Sequence, residues 1–593
     1  MGKAGVAPER EGIQSLSELG VNIHRGTLSL VYDSSALAAQ SFGGSGLGDF
    51  FASKTVVIAS MCACIGGLLF GFDQGILSIA LTMPQFLRQF PETDASVTSG
   101  ASLNKGVMTA LLELGAVLGA FLSGFLADRY SRKMSIVFGS VWFVVGGILQ
   151  ASSSAFAQLV IGRFIGGFGI GVLSSTAPMY ISEVAPPNIR GALLTMEQGA
   201  IVLGVVIMYY ISYGSRLLAS DWAFRLPFSV QMAPCPILVV LLYFLPYSPR
   251  WLAMSGRDRD CLDSLCRLRQ LPSTDPRVQA EWIVIRADAV RAREVEVLAH
   301  PSLSQTGSWS EFKLEMASWG DMFRGGVIRQ TMIGIVIMFF QQFTGINALV
   351  YYAPILFQQL GLDYELQLTL AGVLNITQFV AVLIAFVLLD RVGRRPMLLA
   401  GAVSVAISHA IVAAMIATYS YDWTIHKVPA WVGVGFIFGV MLCYGIGWGP
   451  VPWALPAEVH ASSRRAKGVA LSVCSNWFNN FIVGLITPPL ITGTGGYGAF
   501  IFFAAFSALA AVWTFFFVPE TRGRTLEQID ALFESSTAIE DARAREEILQ
   551  IMTGDAHNSA VSTGEVYKAK TKLVERVGEE QAGQTTQDEI TSA

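Results

Sequence analysis

Residues 124–133 read GFLADRYSRK, and residues 390–395 read DRVGRR. Each segment closes a long apolar run. Each opens its polar stretch with an Asp-Arg pair and adds a base at a matching offset: Asp128, Arg129 and Arg132 in the first, Asp390, Arg391 and Arg394 in the second. A second match follows farther along each half, where Glu183 precedes Arg190 and Glu458 precedes Arg465. Basic loop residues alone would follow from the excess of Lys and Arg in cytosolic loops of membrane proteins. Acids at matching offsets in matching loops do not. The repetition marks a duplicated unit, and repeats related by an axis along the membrane normal are an organisation of transporters. These acids and bases are expected to form a cytosolic ion-pair network that latches the two halves while the inner mouth is shut. Exposed pairs contribute about 0–1 kcal/mol each, enough in a network to bias an equilibrium without freezing it.

Outward from these segments the chain is apolar on a scale that only lipid explains. Of 593 residues 52% are hydrophobic and 14% charged, with a mean hydropathy of +0.51. Ordinary soluble domains carry roughly 25% charged residues. About 20 apolar residues span a bilayer as a helix. Six such runs precede residue 248, near 53–80, 106–126, 134–153, 159–182, 192–214 and 227–245. Six more lie near 331–357, 366–389, 396–418, 430–457, 468–490 and 498–518. The fold class expected is therefore all-α and polytopic, with twelve transmembrane helices in two six-helix bundles. Residues 1–50 form a polar N-terminal tail, 51–248 the first bundle, 249–330 a helical linker, 331–520 the second bundle and 521–593 a polar C-terminal tail. One set of short loops carries ten Lys and Arg residues and the opposite set five. The richer side reads as the cytosol, with both termini and the linker there. The tails show no sustained apolar period.

Other classes are disfavoured. A net charge of −4 gives no reason to expect nucleic acid, and six His and seven Cys form no ligand cluster. No cofactor is expected. No nucleophile–base set or nucleotide loop suggests an enzyme, and the Gly-rich GGFGIG at 166–171 reads as close helix packing inside a span. The N-terminus has no apolar region of a signal peptide, so the first span serves as insertion signal.

The repeated clusters occur in order with GGLLFGFDQG (66–75), GRFIGGFGIGV (162–172), PMYISEVAPPNIRGAL (178–193), QQFTGINALVYYAP (341–354), GPVPWALPAEV (449–459), SNWFNNF (475–481) and PETRGRTLEQID (519–530). This series resembles the sugar porters of the major facilitator superfamily, in particular fungal-type hexose transporters, over about residues 55–534. The resemblance adds Glu520 to the ion-pair network. One departure stands out: where the family has an acid in Pro-Glu-Ser-Pro-Arg, this chain has Tyr247.

Ionisable residues inside spans cost about 2.5–3.5 kcal/mol each on insertion scales. Asp73 lies in the first span and Arg163 in the fourth, and the resemblance pairs them as the proton-coupling site of symporters. A purely structural ion pair is the alternative. Glu113, mid-way along the second span, has no assigned partner. Uncharged amides and aromatics inside spans are substrate candidates: Gln198, Gln341, Gln342, Asn347, Asn476, Asn480, Trp453 and Phe70. Amides donate and accept, as sugar hydroxyls require, and an indole suits the flat face of a pyranose. Polar glue between helices is the competing reading. Gly345 between Gln341 and Asn347 suggests a broken helix, with Tyr351 and Tyr352 beyond it as an outer gate. The family's amide in the eighth span falls on Gln378, with Asn375 one turn away. The expected function is sugar transport by alternating access, with a hexose as substrate and a proton as coupling ion, in the plasma membrane. An uncoupled facilitator, a disaccharide or polyol carrier, and a sugar receptor of the same fold are the alternatives.

Overall fold

The computed structural model describes residues 54–186, 189–300, 308–460, 464–522 and 537–553, with 27, 30, 31, 529, 532 and 533. Twelve helices are long and apolar enough to cross a membrane: α1 (Lys54–Ala80), α2 (Ala101–Tyr130), α3 (Arg132–Ala151), α4 (Phe156–Val184), α5 (Arg190–Ser215), α6 (Trp222–Phe244), α7 (Ile328–Gln358), α8 (Tyr364–Leu389), α9 (Arg394–Tyr419), α10 (Lys427–Val459), α11 (Arg465–Gly493) and α12 (Tyr497–Phe517). In hydrocarbon every backbone polar group must be satisfied within its own segment, which leaves the helix as the form these runs can take. The described residues contain no strand.

Two of the spans start at a side-chain cap. Asp363 accepts from the Leu366 amide at 3.2 Å ahead of α8, and Ser131 accepts from the Met134 amide at 3.2 Å ahead of α3. The helices extend past several expected ends, so Asp128 and Arg129 lie in the last turn of α2 rather than in a loop. Ser131 has φ 114° and ψ 156°, and Gly393, its counterpart in the second half, has φ 103° and ψ 162°. The duplicated sequence thus folds into a duplicated backbone corner.

Three spans are interrupted. α7 breaks between Phe343 and Ile346, where Gly345 takes φ 88° and a Cβ would meet the Phe503 ring at 2.7 Å. Only glycine suits both the conformation and the gap. α10 divides into Lys427–Ile446 and Val451–Val459, and α6 into Trp222–Val230 and Pro234–Phe244. In the first half, α4 packs between α2 and α3, close enough that a Cβ on Gly167 or Gly171 would run into the Leu112 or Ala116 carbonyl of α2. The two halves meet where α2 lies along α11, α5 along α8, and α1 against the second segment of α7.

On the side carrying the basic loops sit Pro249–Met254, Asp258–Arg269, Pro276–Ala299 and Ser308–Asp321, all helical. The C-terminal tail departs from the polar reading. Thr537–Thr553 is a helix that buries Ile548, Leu549 and Met552 in one cluster with Val278, Trp282 and Ile283 of the linker, and Arg545 pairs with Asp288 at 2.7 Å. Leu30 and Val31 of the N-terminal tail join that cluster. Their few apolar residues were too sparse to read as a period, yet the linker supplies the surface they cover.

Candidate functional site

The break in α7 and the one in α10 bring their polar side chains to a single cavity between the halves. It encloses about 500 Å³ of space not filled by atoms, part of it open to solvent. Phe70 and Gln198 line it from the first half. Gln341, Gln342, Asn347, Trp453, Asn476 and Asn480 line it from the second, so all eight residues expected to meet substrate share one wall system.

The amides are bonded to one another. Asn347 donates to Gln342 Oε1 at 2.6 Å and to Asn480 Oδ1 at 2.7 Å, and Asn476 donates to Gln341 Oε1 at 2.6 Å. Gln341 Nε2 reaches across to the carbonyls of Trp448 and Gly449 at 2.9 and 3.2 Å, covering two groups left open by the α10 break. Gln378 also lines the cavity, and its buried Oε1 has no partner, whereas Asn375 does not line it. Gln74 and Tyr444 complete the polar lining. Gln74 could have been read from its place beside Asp73; Tyr444 carried no signal. Phe70 is held edge-on against Trp477, ring centroids 4.8 Å apart, and Trp477 Nε1 donates to Ser174 of the other half at 3.1 Å.

Asp73 and Arg163 meet in a two-pronged contact of 3.2 Å on each prong, and both are essentially water-free. Arg163 Nε also donates to the Met108 carbonyl of α2 at 2.6 Å. Glu113 is buried as well, and its partner is Tyr351, whose hydroxyl donates to Oε1 at 2.6 Å. Tyr352 donates to the Gly484 carbonyl of α11 at 2.9 Å. Glu197, next to Gln198, is a further buried acid that drew no notice in the sequence; it packs on α1 at Gly67.

The two faces of the molecule differ. Away from the basic loops, the halves are tied together: Arg216 pairs with Glu365 at 2.6 Å, Tyr209 donates to the Leu368 carbonyl at 2.5 Å, and Tyr364 donates to the Thr82 carbonyl at 3.2 Å. This cross-half seal was not foreseen, because nothing local distinguishes Glu365 from any loop acid.

On the basic side, where a latch is expected only while the inner mouth is shut, the described pairs of the repeated clusters lie within one half each. Arg132 binds Asp128 at 2.8 Å and Glu183 at 2.8 Å, and Ser248 donates to Glu183. Arg394 binds Glu458 at 2.8 Å, while Glu520 accepts from the backbone amides of Arg394 and Arg395 at 3.1 Å each. Each of these contacts closes a corner within one half, because the guanidinium at the corner reaches the acid of its own repeat first. Glu183 and Glu458 therefore hydrogen-bond Arg132 and Arg394, and act on Arg190 and Arg465 through space. Those two arginines are half-buried and lie within electrostatic reach of each other and of Arg250. Arg129 and Arg391 are exposed, and the side chain of Asp390 lies outside the described residues. Tyr247 replaces the missing acid by a different interaction. Its ring stacks on Trp251 and carries the Lys133 ammonium 4.4 Å above it.

Twelve spans in two matching halves, sealed on one face around an uncharged polar cavity, define a membrane carrier. Residues 59–533 match the family described as Sugar (and other) transporter. The chain belongs to that family, within the major facilitator superfamily. It is 30% identical over 493 residues to the high-affinity glucose transporter of Kluyveromyces lactis, across 81% of this chain and 85% of that one. It is 32% identical over 492 residues to the high glucose sensor RGT2 of Saccharomyces cerevisiae, across 81% of this chain and 61% of that one. Among solved structures it is similar to the proton:xylose symporter XylE bound to 6-bromo-6-deoxy-D-glucose. The TM-score is 0.66 at 26% identity, covering 81% of this chain and 99% of that one. The protein is a multi-pass sugar transporter, not an enzyme.

Proposed function

We propose that the chain carries a hexose or similar monosaccharide across the plasma membrane together with a proton, with both termini in the cytosol. The observation that carries this reading is the adjacency of two unlike sites. An uncharged cavity walled by amides and an indole lies between the halves, and a buried Asp73–Arg163 pair sits within the first half.

Sugar hydroxyls would replace the amide–amide bonds of Gln342, Asn347, Asn476 and Asn480, exchanging like for like at small net cost. The free Gln378 Oε1 gains a donor, and Trp453 covers the apolar ring face. Tyr351 and Tyr352 on the second segment of α7 act as the outer gate, and the Arg216–Glu365 pair holds the halves shut above it. Protonation of Asp73 would release Arg163 and let the halves rock. The sugar then leaves on the basic side.

Uptake of labelled D-glucose, D-galactose and D-xylose in cells stripped of their own hexose carriers, with and without a protonophore, tests the reading. Uptake that collapses with the protonophore supports it; uptake insensitive to it points to facilitation. The likeness to RGT2 favours one other reading, a glucose receptor. It predicts sugar binding with no uptake at all.

A further inference from the structure

Glu113 lies at the middle of α2, fully buried, and lines no part of the sugar cavity. Its Oε1 accepts from the Tyr351 phenol at 2.6 Å, and its Oε2 has no partner. The same phenol oxygen accepts from Gln74 Nε2 of α1 at 3.0 Å and from Asn480 Nδ2 of α11 at 3.4 Å. Asn480 in turn accepts from Asn347 at 2.7 Å, so a continuous chain of hydrogen bonds runs from the cavity wall to Glu113. The charged or titratable groups that act on it are Asp73 of α1, Arg163 of α4, and Tyr351 and Tyr352 of α7; α11 presents the neutral Asn480.

Charge balance then constrains this cluster. One guanidinium serves two carboxyl groups, all of them out of reach of water. Two ionised carboxylates would leave a net negative charge in a dry site, which burial strongly disfavours. One proton removes the imbalance. Asp73 has each oxygen on an Arg163 nitrogen, whereas Glu113 has one neutral donor and one bare oxygen. The proton therefore belongs on Glu113.

We propose that Glu113 is a second proton site beside Asp73, loaded in this outer-closed conformation, and that Tyr351 ties exchange of its proton to the outer gate. When the gate opens, the outer segment of α7 carries the Tyr351 hydroxyl away and water reaches the carboxyl. The proton then passes between Glu113 and a water on that side, with no other bond made or broken. When the gate closes, the phenol returns and the proton is trapped. The role in transport rests on the proton-coupled reading above; the proton itself does not.

Infrared difference spectra of the full-length protein in liposomes, stepped through pH, read the carbonyl stretch of a protonated carboxyl directly. A component present in the wild type at neutral pH and lost in Glu113→Gln is the expected result. In Asp73→Asn it should weaken at neutral pH, because Arg163 is then free to neutralise Glu113. Glu197 can give a similar band, so the assignment rests on the loss in Glu113→Gln. An unchanged spectrum in that variant overturns the proposal. Should Glu113→Gln fail to fold, Glu113→Asp must displace the band, and an unmoved band overturns it equally. Accumulation of labelled D-glucose under an imposed pH gradient separates the two readings. If both wild type and Glu113→Gln accumulate it, Asp73 works alone and Glu113 has no transport role. If the wild type ignores the gradient, coupling fails, while the proton on Glu113 stands or falls with the spectra.

Discussion

Gln341 and Gln342 are neighbours in sequence, yet their surroundings give them different duties. Gln342 bonds only within the cavity, to Asn347, whereas Gln341 also holds the carbonyls of Trp448 and Gly449 at the α10 break. Replacing either by Ala is expected to weaken sugar binding by about 1–3 kcal/mol, the cost of leaving a buried hydroxyl unpaired. Only Gln341→Ala should also lower the melting temperature of the sugar-free protein, because it strips two backbone acceptors. Calorimetric titration and thermal unfolding of both variants check this; equal unfolding temperatures would contradict it. That these amides were candidates was legible, since uncharged polar groups inside apolar runs stand out one by one. Glu113 stood out too, but its partner Tyr351 lies 238 residues away and no local pattern connects them.

The corner between α2 and α3 shows what a repeated element can reveal. Gly393 occupies its conformation without a Cβ, while Ser131 holds nearly the same angles with one. That region is essentially reserved for glycine, and a side chain there costs about 1–3 kcal/mol. Ser131→Gly loses a cap worth only a few tenths of a kcal/mol in that exchange, so it should raise the melting temperature. Gly393→Ala should lower it, since its Cβ would also meet the Glu520 carboxylate at 2.8 Å. Thermal unfolding in detergent reads both signs; a destabilised Ser131→Gly would show that the serine's contacts outweigh the strain. The twelve helices and the α7 break were legible because hydropathy and a lone glycine are properties of short windows. The tail helix at 537–553 was not, because its three apolar anchors acquire meaning only against Trp282 and its neighbours.

At the scale of the whole molecule, the conformation is decided by which face is sealed. Glu365 is 62% exposed, so its pair with Arg216 is screened by solvent and weak. Arg216→Ala should shift the population toward the outer-open form by a few-fold, and salt should mimic it, as read by labelling of a cysteine placed in the cavity from outside. Labelling unchanged in both would mean that Tyr209 and Tyr364 carry the seal alone. The duplicated acids and arginines were visible in the sequence, but their pairing depends on conformation, which a sequence does not specify. The central claim, a sugar carrier driven by protons through Asp73, is tested most directly in proteoliposomes. Sugar accumulation under an imposed pH gradient is measured beside exchange at equilibrium, for the wild type and Asp73→Asn. Accumulation by the wild type, with Asp73→Asn retaining exchange but no longer accumulating, is the predicted result. Accumulation by Asp73→Asn, or a wild type indifferent to the gradient, would contradict it.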